Sequence, residues 1–392
     1  MSGICITFLL YVGWQTVRKD RIWENLYPGE WIVVSRNETP SADVTVAATG
    51  RHMKTIMLWN DYFGEPTMGF HGLGTVIFNR TRCPHTCYLT NNRSEFSEAD
   101  AVIIHVFSVA PMQENLTIPR RANPRQIFVF FILESPTRSY KGLFQQELRF
   151  SDTFNLTATF LQSPMTDVYM PLGGIERRTI VDENAVPSLS LLKNKSKTVA
   201  WFVSNCWAPS ARMEYARRLS HYVDVGVFGN CGNLTCAKGN KTCIEQVSGT
   251  YMFYLAFENS FCRDYATEKV FRTLQLTMVP IVYGYANYTA VLPPRSYIDV
   301  RDYDSPEKLA EYLQRLKRNV TEYEQYFAWK KHFRILFRRH YTDNGICRLC
   351  SILHDNRYRY KTNFNPVKDY WDPKKLCFEG LEEKRVVHLN EE

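Results

Sequence analysis

The segment YMFYLAFENSFCRDYATEKVFRTLQLTMVPIVYG, residues 251–284, decides how this chain is read. It opens with an apolar, aromatic run of strand length, residues 251–257, which stops at Glu258, Asn259 and Ser260. A loop with Cys262, Arg263 and Asp264 follows. Val270, Phe271, Leu274 and Met278 then recur at helical spacing, and a second short apolar run over 279–283 ends at Gly284. Strand, loop, helix, strand is the repeating unit of an α/β fold with parallel strands. Ligands of such folds sit at the carboxyl ends of strands and the amino ends of helices. Glu258, Asn259, Tyr265, Glu268 and Lys269 fall there, with Asp264 as the expected N-cap and Tyr265 to Lys269 in the first turn. Exposed N–H groups beside a lysine suit a phosphate. The alternative is that these residues only cap and solvate the helix.

Outward from this segment the same unit repeats. Residues 198–203 read as a strand, 204–206 open a loop, and a helix runs from Pro209 or Ser210 to Tyr222 with Arg212 in its first turn. Residues 224–228 form the next strand, and 229–243, rich in Gly and Cys, a disulfide-tied loop. Residues 296–300 give a short strand, 306–317 a helix, 322–337 a second, aromatic and basic helix, and the tail from 338 reads as irregular. Upstream, residues 31–34, 54–59, 101–106, 126–133, 154–160 and 168–171 read as strands. The run 126–133 ends abruptly at Glu134. Burial there would raise the pKa of this carboxyl and make it a useful general base, or Glu134 could cap the next turn or pair with an arginine. Residues 182–197 read as the interdomain linker, so the domains are expected at 31–190 and 191–337, with a tail at 338–392.

The chain has 392 residues and a net charge of +8, long enough for two domains and extensions. The positive charge is dispersed, without a long basic run, which argues against nucleic acid as a partner. Cysteine speaks for the compartment. Cys83, His85 and Cys87 leave a zinc site open; disulfides in an oxidising compartment are the preferred reading of the cysteines as a group. Ten Asn-x-Ser/Thr triplets, at 37, 79, 92, 115, 155, 194, 233, 240, 287 and 319, agree, since chance gives about three. Residues 4–14 are apolar but short for a spanning helix, and Arg18, Lys19 and Arg21 follow rather than precede them. Residues 1–30 are read as a short, atypical signal-anchor and stem, which makes a single-pass Golgi membrane protein with a lumenal catalytic domain the expectation.

Residues 254–313 closely resemble the signature of the α1,3-fucosyltransferases, the GT10-type family. Phe257-Glu258-Asn259, Asp264-Tyr265-x-Thr267-Glu268-Lys269, Val279-Pro280-x-Val282 and Leu292-Pro293-Pro294-x-Ser296-Tyr297-Ile298-Asp299-Val300 stand in that family's order. Leu133-Glu134-Ser135-Pro136, Asn155-Leu156-Thr157, Phe202-Val203-Ser204-Asn205-Cys206 with Arg212, and Cys347-Arg348-Leu349-Cys350 are also family-like. The resemblance spans about 55–355 and is nearest to invertebrate and plant enzymes that fucosylate the N-glycan core. It implies a GT-B fold, two Rossmann-like domains facing across a cleft, and inverting transfer of L-fucose from GDP-β-L-fucose to a GlcNAc 3-hydroxyl on glycoproteins. It implies Glu134 as general base, and Arg212, Asn259, Tyr265, Glu268 and Lys269 as donor-binding residues, with Glu258 in support. With Arg and Lys meeting the diphosphate, no cofactor or metal is required, and Asp302-Tyr303-Asp304 reads as loop and helix charge. Cys83 and Cys87 are expected to pair with Cys347 and Cys350. One departure stands out. After Asn155-Leu156-Thr157 the family has Tyr-Arg and an Asp-Ser-Asp cluster, whereas here only Phe160 and Asp167 remain and Leu161 replaces the Arg. The acceptor therefore stays open between core GlcNAc, antennal GlcNAc, and a weak homologue that binds donor or glycan without turnover.

Overall fold

The computed structural model describes residues 53–109, 118–144, 150–162, 164–237 and 240–378. The apolar stretch 4–14, the stem and the expected strand at 31–34 lie outside the described residues.

The first half is one parallel sheet. Its strands are β1 (Thr55–Leu58), β2 (Tyr88–Thr90), β3 (Ala101–His105), β4 (Ile127–Phe131), β5 (Leu156–Thr159) and β6 (Val168–Tyr169), in the order β2-β1-β3-β4-β5-β6. β3 and β4 are buried at every position, which is why they read as unbroken apolar runs. β7 (Gly173–Arg177) leaves this sheet. The chain continues through β8 (Lys197–Phe202), β9 (Val225–Phe228), β10 (Tyr251–Phe257), β11 (Phe261–Cys262), β12 (Val279–Tyr283) and β13 (Ile298–Asp299). Five of these form the second parallel sheet, ordered β13-β12-β10-β8-β9, with β10 at its centre. Numbered within its own half, the first sheet has the order 2-1-3-4-5-6 and the second 2-1-3-4-5, a doubly wound pattern, so the α/β GT-B expectation is met. The order reverses between β1 and β3 in one sheet and between β8 and β10 in the other. Such reversals open a crevice at the carboxyl ends of the flanking strands.

The helix Pro306–Arg318 is capped by Ser305, whose side chain accepts from Lys308 N, and buries Leu309, Leu313 and Leu316 against the second sheet. The expected helix over 322–337 is instead a short helix, Val320–Glu324, a 3₁₀ stretch, Gln325–Lys331, and a strand, β14 (Phe333–Phe337), antiparallel to β7. Its aromatic residues serve different partners, with Tyr323 and Phe327 in the second core and Phe333 against a separate cluster. The tail is not irregular either. It holds the helix Arg338–His354 and ends the described chain at β15 (Cys377–Phe378), paired with β11. Ile346, Leu349, Ile352, Val367, Trp371 and Leu376 from this tail belong to the core of the first half.

The expected Golgi membrane placement is corrected. Among the described residues no helix is long and apolar enough to cross a membrane. The longest, Arg338–His354, has 17 residues and carries arginines and a buried Asp343, whereas a span needs about 20 apolar residues.

Candidate active site

The loops after β8 and β10 meet at the reversal point of the second sheet. Glu258 prolongs β10, donating its N–H to Tyr283 O at 2.9 Å, and its side chain is 1% exposed. Ser210 stitches the two loops together: its N–H donates to Asn259 O (3.1 Å) and its hydroxyl to Glu258 O (2.8 Å). Arg212 begins the helix Arg212–Leu219, after Ala211 at φ +52°. It is 4% exposed, donates Nη1 to Phe257 O at 2.8 Å and Nη2 to Asn205 O at 3.1 Å, and lies over the Trp201 ring. Its Nε–H has no partner, and neither does the buried Oδ1 of Asn259. Burial lowers the pKa of Arg212 while Glu258 opposes it, and a guanidinium keeps its charge in either case. A fixed, buried cation with a vacant N–H is fitted to an anionic ligand.

Lys269 stands in the first turn of the helix Glu268–Gln275. Its Nζ donates to Glu258 Oε2 (3.0 Å) and Thr267 Oγ1 (2.6 Å) and lies 3.6 Å from Glu268 Oε1. Burial works against its charge, but Glu258 and then Glu268 outweigh burial and hold its pKa above the usual lysine value. For Glu258 burial wins over Lys269 and raises the pKa.

Thr267, not Asp264, is the N-cap of this helix. Asp264 has φ +58° and its Oδ2 accepts from Gln162 N at 3.1 Å, a tie to the first half that removes it from the helix. Tyr265 therefore precedes the helix rather than lying in its first turn. Its ring is 3% exposed and packs against Phe160 at 4.9 Å. Burial pushes its hydroxyl well above the usual range, and the charges of Glu134 and Glu258 add to this.

Glu134 stands just past β4, half-buried, at the end of the first sheet. Burial is the largest influence on its pKa and raises it; Lys269 opposes, and Glu268 reinforces. The charges of the donor-side loop are thus felt across the junction. Direct contacts close that junction: Ser135 Oγ donates to Ser260 Oγ at 2.8 Å, and Thr137 Oγ1 lies 3.3 Å from Cys262 Sγ. The structure brings Glu134, Arg212, Asn259, Tyr265, Glu268 and Lys269 to one region, where the carboxyl ends of β4 and β10 meet. Sequence reasoning missed Thr267, Ser210 and the Ser135–Ser260 contact. Thr267 was visible as a second N-cap type ahead of Glu268; nothing local chooses between it and Asp264.

Asp302 and Asp304 are exposed ahead of the Pro306–Arg318 helix. Among the described residues, three potential metal ligands converge at Cys87, Cys350 and His354, where the two cysteines are bonded to each other. The cysteine pairs are Cys83–Cys347, Cys87–Cys350, Cys206–Cys231, Cys236–Cys243 and Cys262–Cys377. In the divergent segment, Leu161 is fully buried. Asp167 is spent on structure, accepting from Thr157 N (2.7 Å) and Tyr358 OH (2.8 Å) and pairing with Lys361.

The chain has relatives among known proteins. Residues 192–370 match the C-terminal region of glycosyltransferase family 10 (fucosyltransferase), and residues 51–173 match the fucosyltransferase N-terminal region. The chain is 33% identical to alpha-(1,3)-fucosyltransferase C of Drosophila melanogaster over 81% of its own length and 77% of that protein. It is 32% identical to glycoprotein 3-alpha-L-fucosyltransferase A of Drosophila melanogaster over 83% of its own length, and spans 61% of that relative. A crystal structure of an α1,3-fucosyltransferase with GDP-fucose shares the fold at a TM-score of 0.52 and 17% identity, over 79% of this chain and 93% of that one. The chain belongs to glycosyltransferase family 10, the fucosyltransferases.

Proposed function

We propose that the enzyme transfers L-fucose from GDP-β-L-fucose, with inversion, to the 3-hydroxyl of GlcNAc on glycoprotein N-glycans, with the core GlcNAc as the acceptor. In this reading Glu134 takes the proton of the acceptor hydroxyl as that oxygen bonds to the anomeric carbon. The bond from that carbon to the diphosphate breaks, and GDP leaves with the electron pair. A carboxylate whose pKa is lifted toward the working pH is a better proton acceptor than an ordinary one. Arg212 and Lys269 meet the charge that develops on the diphosphate, fixed in place before the reaction begins. Asn259 and Glu268 hold the donor, and Tyr265, largely enclosed, shapes the wall between donor and base. With two cations provided by side chains, a divalent metal is not required, so a chelator should leave the rate unchanged. The halves on either side of the junction, 31–190 and 191–337, serve acceptor and donor respectively.

The observation that carries this reading is the meeting of Glu134 with the Lys269 cluster at the ends of two parallel sheets. The experiment is an assay of the purified protein with GDP-fucose and defined N-glycans, with the product linkage determined by NMR. Transfer to antennal GlcNAc alone would replace the core acceptor by the antennal one, a reading favoured by the structural use of Asp167. GDP binding without transfer to any glycan would leave only the binding homologue.

A further inference from the structure

Glu258 is the most enclosed carboxylate of the candidate site. Three donors hold its oxygens: Thr267 N donates to Oε1 (2.8 Å), Lys269 Nζ donates to Oε2 (3.0 Å), and the one Thr267 hydroxyl proton is shared between Oε1 (2.9 Å) and Oε2 (2.8 Å). With both oxygens held from within the protein and the side chain 1% exposed, Glu258 does not face a substrate. The wall behind it is also closed. A Cβ added at Gly284 would lie 3.2 Å from Glu258 Cγ and 2.5 Å from the Tyr288 hydroxyl.

The consequence falls on Lys269. An ammonium has three N–H donors on a flexible stem. Here Glu258 Oε2 and Thr267 Oγ1 take two of them, and Thr267 is itself held by Glu258. Among the described residues the third N–H makes no hydrogen bond, the Glu268 Oε1 atom lying 3.6 Å from Nζ, and its direction is set by the other two. A lysine that would otherwise act as a mobile point charge becomes a directed donor.

We propose that Glu258 is a positioning residue for transfer: it fixes Thr267 and Lys269 so that one Lys269 N–H is aimed at the leaving diphosphate, and it touches no substrate itself. This rests on the reading of the site as a GDP-fucose site. The charge environment supports it. Lys269 faces Glu258 and Glu268, which hold its proton, and Arg212 and burial, which work against it; it also acts on Glu134. Without the charge of Glu258 its proton would leave at lower pH.

The test compares wild type, Glu258→Gln, Lys269→Met and the double variant by GDP calorimetry and by steady-state transfer. Glu258→Gln keeps the shape but loses one fixing bond, because an amide nitrogen must face a donor. The expected result is a fall in kcat of about 100-fold, with KM for GDP-fucose and GDP affinity changed by less than about tenfold because Arg212 is intact. The double variant should be no slower than Lys269→Met alone. The kcat of Glu258→Gln should fall at alkaline pH where that of wild type does not. Wild-type kcat in Glu258→Gln, a further loss in the Lys269→Met background, or an unmoved alkaline limb would each overturn the proposal. Should Glu258→Gln not fold, Glu258→Asp keeps the charge and withdraws it by one carbon. It is expected to lower kcat while leaving the alkaline limb in place, and wild-type kcat there would equally overturn it. A wild-type protein that binds no GDP would overturn the donor reading itself; GDP binding with Glu258 variants indifferent would overturn only the positioning role.

Discussion

Glu134 and Asn155 show how far a single residue's chemistry follows from its neighbours. Glu134 has a pKa raised above the ordinary carboxylate range, mainly by burial. In the proposed mechanism transfer needs its deprotonated form, so kcat/KM should fall as pH drops through that raised value, earlier than for an ordinary glutamate; a pH-rate profile reads this directly. The sign for stability is opposite. A raised carboxyl pKa favours the folded state at low pH and loses that contribution as pH rises through the folded-state value. Glu134→Gln should therefore abolish transfer, leave GDP binding nearly unchanged and not lower the melting temperature at neutral pH. Arg212→Ala should weaken GDP binding and transfer by on the order of 10²-fold, the loss of one fixed charge-assisted contact. Asn155 heads one of the ten acceptor triplets, but its Oδ1 accepts from Phe128 N and its Nδ2 donates to Lys361 O, both at 3.1 Å. Glycopeptide mapping should find Asn155 unmodified, whereas Asn79, Asn194, Asn233 and Asn287 are exposed.

Elements were legible where burial is two-sided. β3, β4, β10 and β12 sit inside parallel sheets, and their unbroken apolar runs give them away in the sequence. The helix Pro306–Arg318 announces itself through Ser305 and Pro306. What failed to show was pairing and packing over long distances. β14 is held by β7, more than 150 residues away, and no local period records that. The helix Arg338–His354 looked irregular because it carries Asp343 and Gly345 inside. Asp343 is buried to accept from the N–H of His71 and to pair with its ring, and Gly345 makes room for Met170. Gly284 is of the same kind. Gly284→Ala would press on both the Tyr288 hydroxyl and Glu258, so the expected result is a cooperative loss of stability of about 1–3 kcal/mol in denaturant melts. Of the site, the loop residues were legible by type and place, and Glu134 became legible only through the family resemblance. The Glu258–Thr267–Lys269 geometry was not, because a buried network is fixed by side-chain directions that a linear pattern does not contain.

At the scale of the molecule, the two halves are joined by more than a linker. Besides the Ser135–Ser260 contact, β7 pairs with β14, and Cys262 in the donor-side loop is bonded to Cys377 in the tail. The tail packs into the first half: Trp371 is fully buried there and donates Nε1 to Ser139 Oγ at 2.8 Å, while Tyr370 OH lies 2.7 Å from Thr159 Oγ1. Trp371→Ala, by opening a cavity in that core, should cost about 3–5 kcal/mol. Limited proteolysis should then cut the first half before the second.

That same tail gives the protein an arrow in time. During synthesis the second sheet emerges as a continuous segment and can close on itself, but the core of the first half cannot be completed without the tail. Cys83 and Cys87 are joined to partners 264 and 263 positions later, and the core they border waits for Trp371. The half made first is thus the half finished last. Its two early thiols must stay reduced, or be exchanged out of premature bonds by an isomerase, until Cys347 and Cys350 have left the ribosome.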